Sequence, residues 1–414
     1  MTSRRKGLGR QVSACFAALL AAGLTGLIVW QLQRSLPGPL LWDFGSFMGS
    51  GRAAAEGLDP YGIYPGLTFR VELPGFESWN QNLNPPVSLL LFQPLSQLDP
   101  GEAFRLWWAV TVVAYAALVT LLVRHHRLES PVIPALAAFA AAGFWDTLVL
   151  GQIYVPLALA ATGAWLLLER NRPVAAGLLI GIVVAVKPNF LVWPGLLFLA
   201  GHFRAALAAG GCAAVLTAVP ALLYGPGIYR LWFDVISQDA SRGVFLTNAS
   251  LPGLFLRFGL GTAGLLVSLV LLAGLAAWAL RSRPDPLKAS ALGLLGALLA
   301  SPLAWIHYTL FLLPLFFRMP PSPALIIAAI LLIIPVPVLL DRFMTAPVWQ
   351  QATFGSVYAW ALLLLLIQLA LRQIPAGMHS NEESADLQAR GDTRRGDVRQ
   401  REKILPGRHE ERVP

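Results

Sequence analysis

Asp43, Lys187 and His307 are ionisable residues set among apolar neighbours. Asp43 lies in Leu-Leu-Trp-Asp-Phe-Gly (40–45), Lys187 in Val-Lys-Pro-Asn (186–189) and His307 in Ser-Pro-Leu-Ala-Trp-Ile-His-Tyr (301–308). A charge held at hydrocarbon depth costs about 2.5–3.5 kcal/mol on insertion scales, so such residues are functional candidates by default. A carboxylate can take the proton of an attacking hydroxyl. A lysine and a protonated histidine can stabilise negative charge as it builds on a leaving group. Each residue also has a plain structural alternative. Asp43 can cap a helix beginning near Ser46, Lys187 can snorkel to the interface, and His307 can donate to a backbone carbonyl. Asp146, in Phe-Trp-Asp-Thr (144–147), and Gln152, in Gly-Gln-Ile-Tyr (151–154), flank the next turn on the same side. For these two, hydrogen bonding at helix ends is the simpler reading.

The elements that must position these residues are apolar. Of 414 residues, 56% are hydrophobic and 13% charged, whereas an ordinary soluble domain carries about 25% charged residues. That excludes a soluble enzyme and predicts an all-α, multispanning membrane protein. The net charge of +9 does not imply nucleic-acid binding, because the cations sit at the ends of apolar runs and act as topology signals. Cys15 and Cys212 are far apart inside apolar stretches, which supports neither a disulfide framework nor a thiolate metal site.

A helix needs roughly 20 apolar residues to cross a bilayer. Runs at 13–33, 103–123, 132–150, 153–168, 174–186, 190–200, 205–223, 260–280, 289–305, 309–317, 324–340 and 353–371 predict twelve spans. The first follows Arg4, Arg5, Lys6 and Arg10 without a small-x-small cleavage site, and reads as an uncleaved anchor behind a cytoplasmic segment, 1–12. Twelve crossings put both termini inside, and most lysines and arginines then fall on the inner side. Residues 34–102 form one large outer loop, in which the apolar piece 87–98 is too short to span and reads as a juxtamembrane helix. The runs 174–186, 190–200 and 309–317 are short or interrupted by proline, so they should line a cavity within the transmembrane domain, 13–371. The tail, 372–414, alternates acid and base and is expected to be disordered and cytoplasmic.

Several motif strings carry no chemistry. Gly259-x-Gly261-x-x-Gly264 lacks a preceding strand and opens a span, which favours helix packing. Asn248-Ala249-Ser250 is a formal glycosylation sequon. There is no His-Glu-x-x-His, Walker loop or Asp-x-Asp, and no metal or cofactor is expected.

Other pieces occur in an order that resembles glycosyltransferase family 87, membrane enzymes of the C-type fold that use polyprenyl-phosphate sugars. They are Asp43-Phe44, Gly57-Leu58-Asp59-Pro60-Tyr61, Asn84-Pro85-Pro86 with Phe92-Gln93-Pro94-Leu95, and Gly151-Gln152. Ala176 to Gly181 leading to Lys187-Pro188, Asn248 to Leu251 with Arg257, and Ser301-Pro302 through Trp305 and His307 complete the set. The resemblance spans most of 40–310. It implies that Asp43 is the catalytic base, that His307 binds the donor phosphate, and that Lys187 lies near the same phosphate. Asp59, Tyr61, Gln152, Asn248 and Arg257 are the further substrate-binding candidates. Relatives often have two adjacent histidines where this chain has His307-Tyr308.

On this resemblance the chain is expected to move a sugar, mannose by family weight, from a polyprenyl-phosphate donor to a glycolipid or glycan acceptor. Transfer would occur at the outer face of the cell membrane. The donor carries a good leaving group, so one carboxylate suffices and the anomeric centre inverts. The competing class is a transporter or flippase of a lipid-linked or small polar substrate, which would place its polar groups nearer the bilayer midplane.

Overall fold

The computed structural model of the chain describes residues 2–35, 41–73, 76–128, 130–237, 240–372 and 374. The chain divides into a unit of Met1–Gln373 and a unit of Ile374–Pro414. The tail expected to be disordered lies almost wholly outside the described residues. The first unit is a helical membrane protein, and each of the twelve apolar runs coincides with a helix or helix pair.

Proline writes much of the segmentation. It opens the helices Pro100–His126, Pro173–Val186, Pro286–Ala300 and Pro323–Leu332, where its missing N–H and fixed φ cost nothing. Side-chain caps precede three of them. Asp99 accepts from the Gly101 N–H at 2.9 Å, Asp285 from the N–H groups of Leu287 and Lys288 at 3.0 Å, and Ser322 from that of Leu325 at 3.3 Å.

Among the described residues, five helices are long and apolar enough to cross a membrane: Ala14–Ser35, Pro100–His126, Phe203–Tyr224, Gly261–Ser282 and Val348–Leu371. Two bent pairs bring the count to as many as seven: Val132–Ala140 with Ala142–Leu150, bent by 43°, and Pro323–Leu332 with Val336–Phe343, bent by 78°. The expected twelve full spans are therefore not reached by length. The other five runs fold as apolar helices of 10–17 residues. Such helices need protein around them, and Pro286–Ala300 shows this: every residue from Leu287 to Leu299 is buried.

The loop 34–102 is not purely helical. The helix Trp42–Ala55 is followed by an antiparallel hairpin, Arg70–Leu73 with Phe76–Trp79, in the register Arg70↔Trp79 and Leu73↔Phe76. The first strand, Arg-Val-Glu-Leu, alternates polar and apolar residues, but four residues are too few for that pattern to be read from the sequence. The helix Leu89–Leu95 completes the segment. At the opposite ends of their helices, His125, Glu169 and Arg318 meet in a clamp. Arg318 Nη1 and Trp165 Nε1 each donate to Glu169 Oε1 at 2.9 Å, and His125 Nε2 contacts Oε2. His125, His126 and Glu169 place three potential metal ligands within 4.8 Å, but the guanidinium already neutralises the carboxylate.

Candidate active site

The helix Trp42–Ala55 begins from Leu41, a non-glycine residue at φ 46°, held there by its N–H donating to Val149 O at 2.9 Å. Left-handed backbone at leucine is strained, so tertiary contacts must fix it. Asp43 follows in the first turn. Its carboxylate does not cap the helix. Asn80 Nδ2 donates to Oδ1 at 2.6 Å and Gln152 Nε2 to Oδ2 at 2.6 Å.

Two glycines allow this convergence. Gly151 turns at φ 70°, and a Cβ there would lie 2.4 Å from Phe44 Cβ, so only glycine lets the Gly151-Gln152 turn press against the helix of Asp43. A Cβ on Gly143 would lie 2.7 Å from Ile306 O and 3.0 Å from His307 Cα. That close approach brings Asp146, one turn further along Ala142–Leu150, to His307, whose Nδ1 lies 2.9 Å from Asp146 Oδ2. The carboxylate thereby orients the ring and leaves Nε2 for another partner.

Lys187 sits between Pro173–Val186 and the turn Pro188–Leu191, its Nζ 4.5 Å from the Tyr154 ring centroid and 5.7 Å from that of Tyr308. Tyr154 also packs on His307 and Tyr308, with ring centroids 4.2 and 4.4 Å away. Tyr308, the departure from the paired histidines, thus forms one wall of an aromatic cradle for the ammonium.

Asp43, Asn80, Asp146, Gln152, Lys187 and His307 all line one cavity of about 990 Å³. Gln152 Oε1, Asn189 Nδ2 and His307 Nε2, all on lining residues, are buried without hydrogen-bond partners among the described residues. An unmade hydrogen bond on a buried group costs about 1–3 kcal/mol, so such groups suit a polar ligand. Burial raises the pKa of Asp43, against opposing effects from the Asn80 hydrogen bond, the His307 charge, the Gln152 hydrogen bond and the Arg242 charge. Asp43 keeps intermediate exposure and lines the cavity. Burial likewise lowers Lys187 to about 7, partly offset by Asp43.

Four expected binding residues are not brought to this cavity, because their polar groups hold the fold together. Asp59 Oδ1 accepts from the Tyr61 N–H at 2.9 Å, and Tyr61 Oη donates to Asn84 O at 3.0 Å, tying two of the motifs that carried the resemblance to one another. Asn248 donates to Pro302 O at 3.1 Å and accepts from the Ala304 N–H at 2.9 Å, pinning the strand of chain that leads to His307. It is fully buried, which also removes the sequon reading. Arg257 donates to Ser356 Oγ, Phe245 O and Asn248 O at 2.8, 2.8 and 3.0 Å. Conversely, sequence reasoning missed Asn80 and Arg242 and undervalued Asp146. The run Trp-Asn-Gln-Asn at 79–82, dense in amides, was the available signal for Asn80.

Helices of membrane-spanning length, beside a partly open and largely apolar cavity into which a few polar side chains converge, define a polytopic α-helical membrane protein. The family model for glycosyltransferase family 87 matches residues 82–304, over half of the chain, and the chain belongs to that family, which makes it a membrane glycosyltransferase. Asp43, Asn80 and His307 lie outside the matched stretch. The chain is also similar to the polyprenol-phosphate-mannose-dependent alpha-(1-2)-phosphatidylinositol mannoside mannosyltransferase of Mycobacterium tuberculosis (strain ATCC 25618 / H37Rv). The two are 25% identical over 409 residues, covering 88% of this chain and 92% of the relative. No solved structure matches the chain.

Proposed function

We propose that the protein is a polyprenyl-phosphate-sugar-dependent hexosyltransferase that delivers mannose, as in the name of its relative, to a hydroxyl of a glycolipid acceptor. As the acceptor oxygen bonds to the anomeric carbon, its proton passes to Asp43. The carbon–oxygen bond to phosphate breaks on the opposite face, its electron pair leaves with the polyprenyl phosphate, and the centre inverts. Lys187 and His307 meet the charge growing on the phosphate. Asp146, in contact with Nδ1, orients the His307 ring and leaves Nε2 for the phosphate. No step calls for a metal. The prenyl chain stays in hydrocarbon while the head group enters the cavity, with twelve crossings, cytoplasmic termini and an outward-facing site in the cell membrane.

The observation that carries this reading is the convergence of Asp43, Lys187 and His307 on one cavity. A non-catalytic assembly subunit would have no need of it. The transporter reading places its polar groups at broken helices near the midplane, whereas these lie at helix ends. The test compares sugar transfer from a polyprenyl-phosphate-mannose donor to glycolipid with accumulation of the donor across proteoliposomes. Wild-type protein should transfer. Asp43→Ala should abolish transfer while eluting as a folded protein in detergent, and normal turnover by that variant removes Asp43 as the base. Accumulation without transfer would favour the transporter.

A further inference from the structure

We propose that Arg242 is a positioning residue for the base, acting through the side-chain amide of Asn80 to hold the Asp43 carboxylate toward the acceptor hydroxyl. This rests on the reading of Asp43 as the base. An asparagine amide can present either its oxygen or its NH₂ to a neighbour, and the two choices have opposite consequences beside a carboxylate. A guanidinium has only donors, so it settles the choice. Arg242 Nη1 donates to Asn80 Oδ1 at 2.6 Å, which turns Asn80 Nδ2 onto Asp43 Oδ1 at 2.6 Å. Arg242 Nη2 also donates to Trp79 O at 3.1 Å, and the Asn80 N–H donates to Phe69 O at 2.8 Å. Both ends of the relay are thereby tied to the hairpin of the outer loop. Asn80 and Arg242 are 3% and 8% exposed, so water competes little for either group.

The relay joins three segments far apart in sequence: the helix Trp42–Ala55, the residue after the strand Phe76–Trp79, and the turn Ala240–Val244. With Gln152 on the second oxygen, both carboxylate oxygens are held and rotation about the carboxyl bond is blocked. Freed of Arg242, the amide can flip and set its oxygen against Oδ1, which would repel and reorient the base. The other titratable groups acting on Asp43 or acted on by it are His307, Lys187, Tyr154 and Tyr308.

The experiment uses the full chain in detergent with a polyprenyl-phosphate-mannose donor and a glycolipid acceptor, and takes initial rates from about pH 5 to about pH 9. Arg242→Gln should lower kcat about tenfold to a hundredfold while the donor KM stays within about twofold. The acidic limb of its profile should move to higher pH, because both the positive charge and the oriented amide favour the ionised carboxylate. Arg242→Lys keeps the charge without the fork and should restore the limb with only part of kcat. Asn80→Ala should resemble Arg242→Gln, and the double variant should be no slower than Asn80→Ala. The proposal is overturned if Arg242→Gln acts only through KM or thermal stability with an unmoved acidic limb, or if the two single losses multiply. Asp43→Ala separates the two readings: its inactivity beside a normal Arg242→Gln overturns the role of Arg242 alone.

Discussion

The charge of Lys187 is conditional, and that makes its role measurable. Burial between two short helices brings its ammonium down to about 7, so its favourable action on a phosphate is present below that pH and lost above it. The charged fraction drops from about half at pH 7 to about 1% at pH 9. A glycosyl phosphodiester has no proton to lose in this interval. If Lys187 meets the donor phosphate, kcat/KM, which reports the free enzyme, falls about fiftyfold over those two units. Asp43 shapes the other side with the opposite sign: its pKa is raised, and the base is lost as pH falls through that raised value. The variants Lys187→Arg and Lys187→Met then read the charge directly. A guanidinium stays ionised throughout, so Lys187→Arg should hold its rate to pH 9. Lys187→Met should lose about 10²–10³ in rate relative to the charged wild type below pH 7, the usual consequence of removing one donor to a developing oxyanion, and the gap should close as the wild type loses its own charge toward pH 9. The assay is the initial rate of transfer from donor to glycolipid in detergent at fixed ionic strength. A wild-type profile that stays flat between pH 7 and pH 9 would refute the reasoning. A Lys187→Arg profile that falls like the wild type would assign the limb to another group.

Two further substitutions separate the site from its scaffold. Gly151→Ala forces a left-handed alanine, at a cost of about 1–2 kcal/mol, and sets a Cβ 2.4 Å from Phe44 Cβ. It should therefore displace Gln152 from Asp43 and reduce kcat as well as thermal stability, measured by transfer assay and detergent melting. Arg257→Met strands the buried acceptors at Phe245, Asn248 and Ser356 and should cost about 2 kcal/mol or more in stability. Because Arg257 does not line the cavity, the donor KM should stay unchanged, and a raised KM with normal stability would return it to the binding set.

The sequence by itself determined the membrane class, the twelve apolar runs that coincide with helices or helix pairs, and the singling out of Asp43, Lys187 and His307. These are local properties: a run of apolar residues and an isolated charge within it are legible without knowing what packs nearby. The family resemblance offered Asp59, Tyr61, Asn248 and Arg257 as binding candidates; the hydrogen-bond partners that only the tertiary structure supplied for them belong to the protein itself. Of the twelve spans read from the sequence, five to seven are long and apolar enough to cross by themselves among the described residues, since a short helix surrounded by protein and one facing lipid are alike in composition. Tertiary structure alone decided that Asn80 and Gln152, 37 and 109 residues from Asp43, hold its two oxygens. It likewise decided that Asp146 turns His307 and that Arg242 turns Asn80. A hydrogen bond depends on where two groups end up in space, and for residues so far apart in the chain that is set by helix packing through contacts such as Gly151 on Phe44 and Gly143 on Ile306.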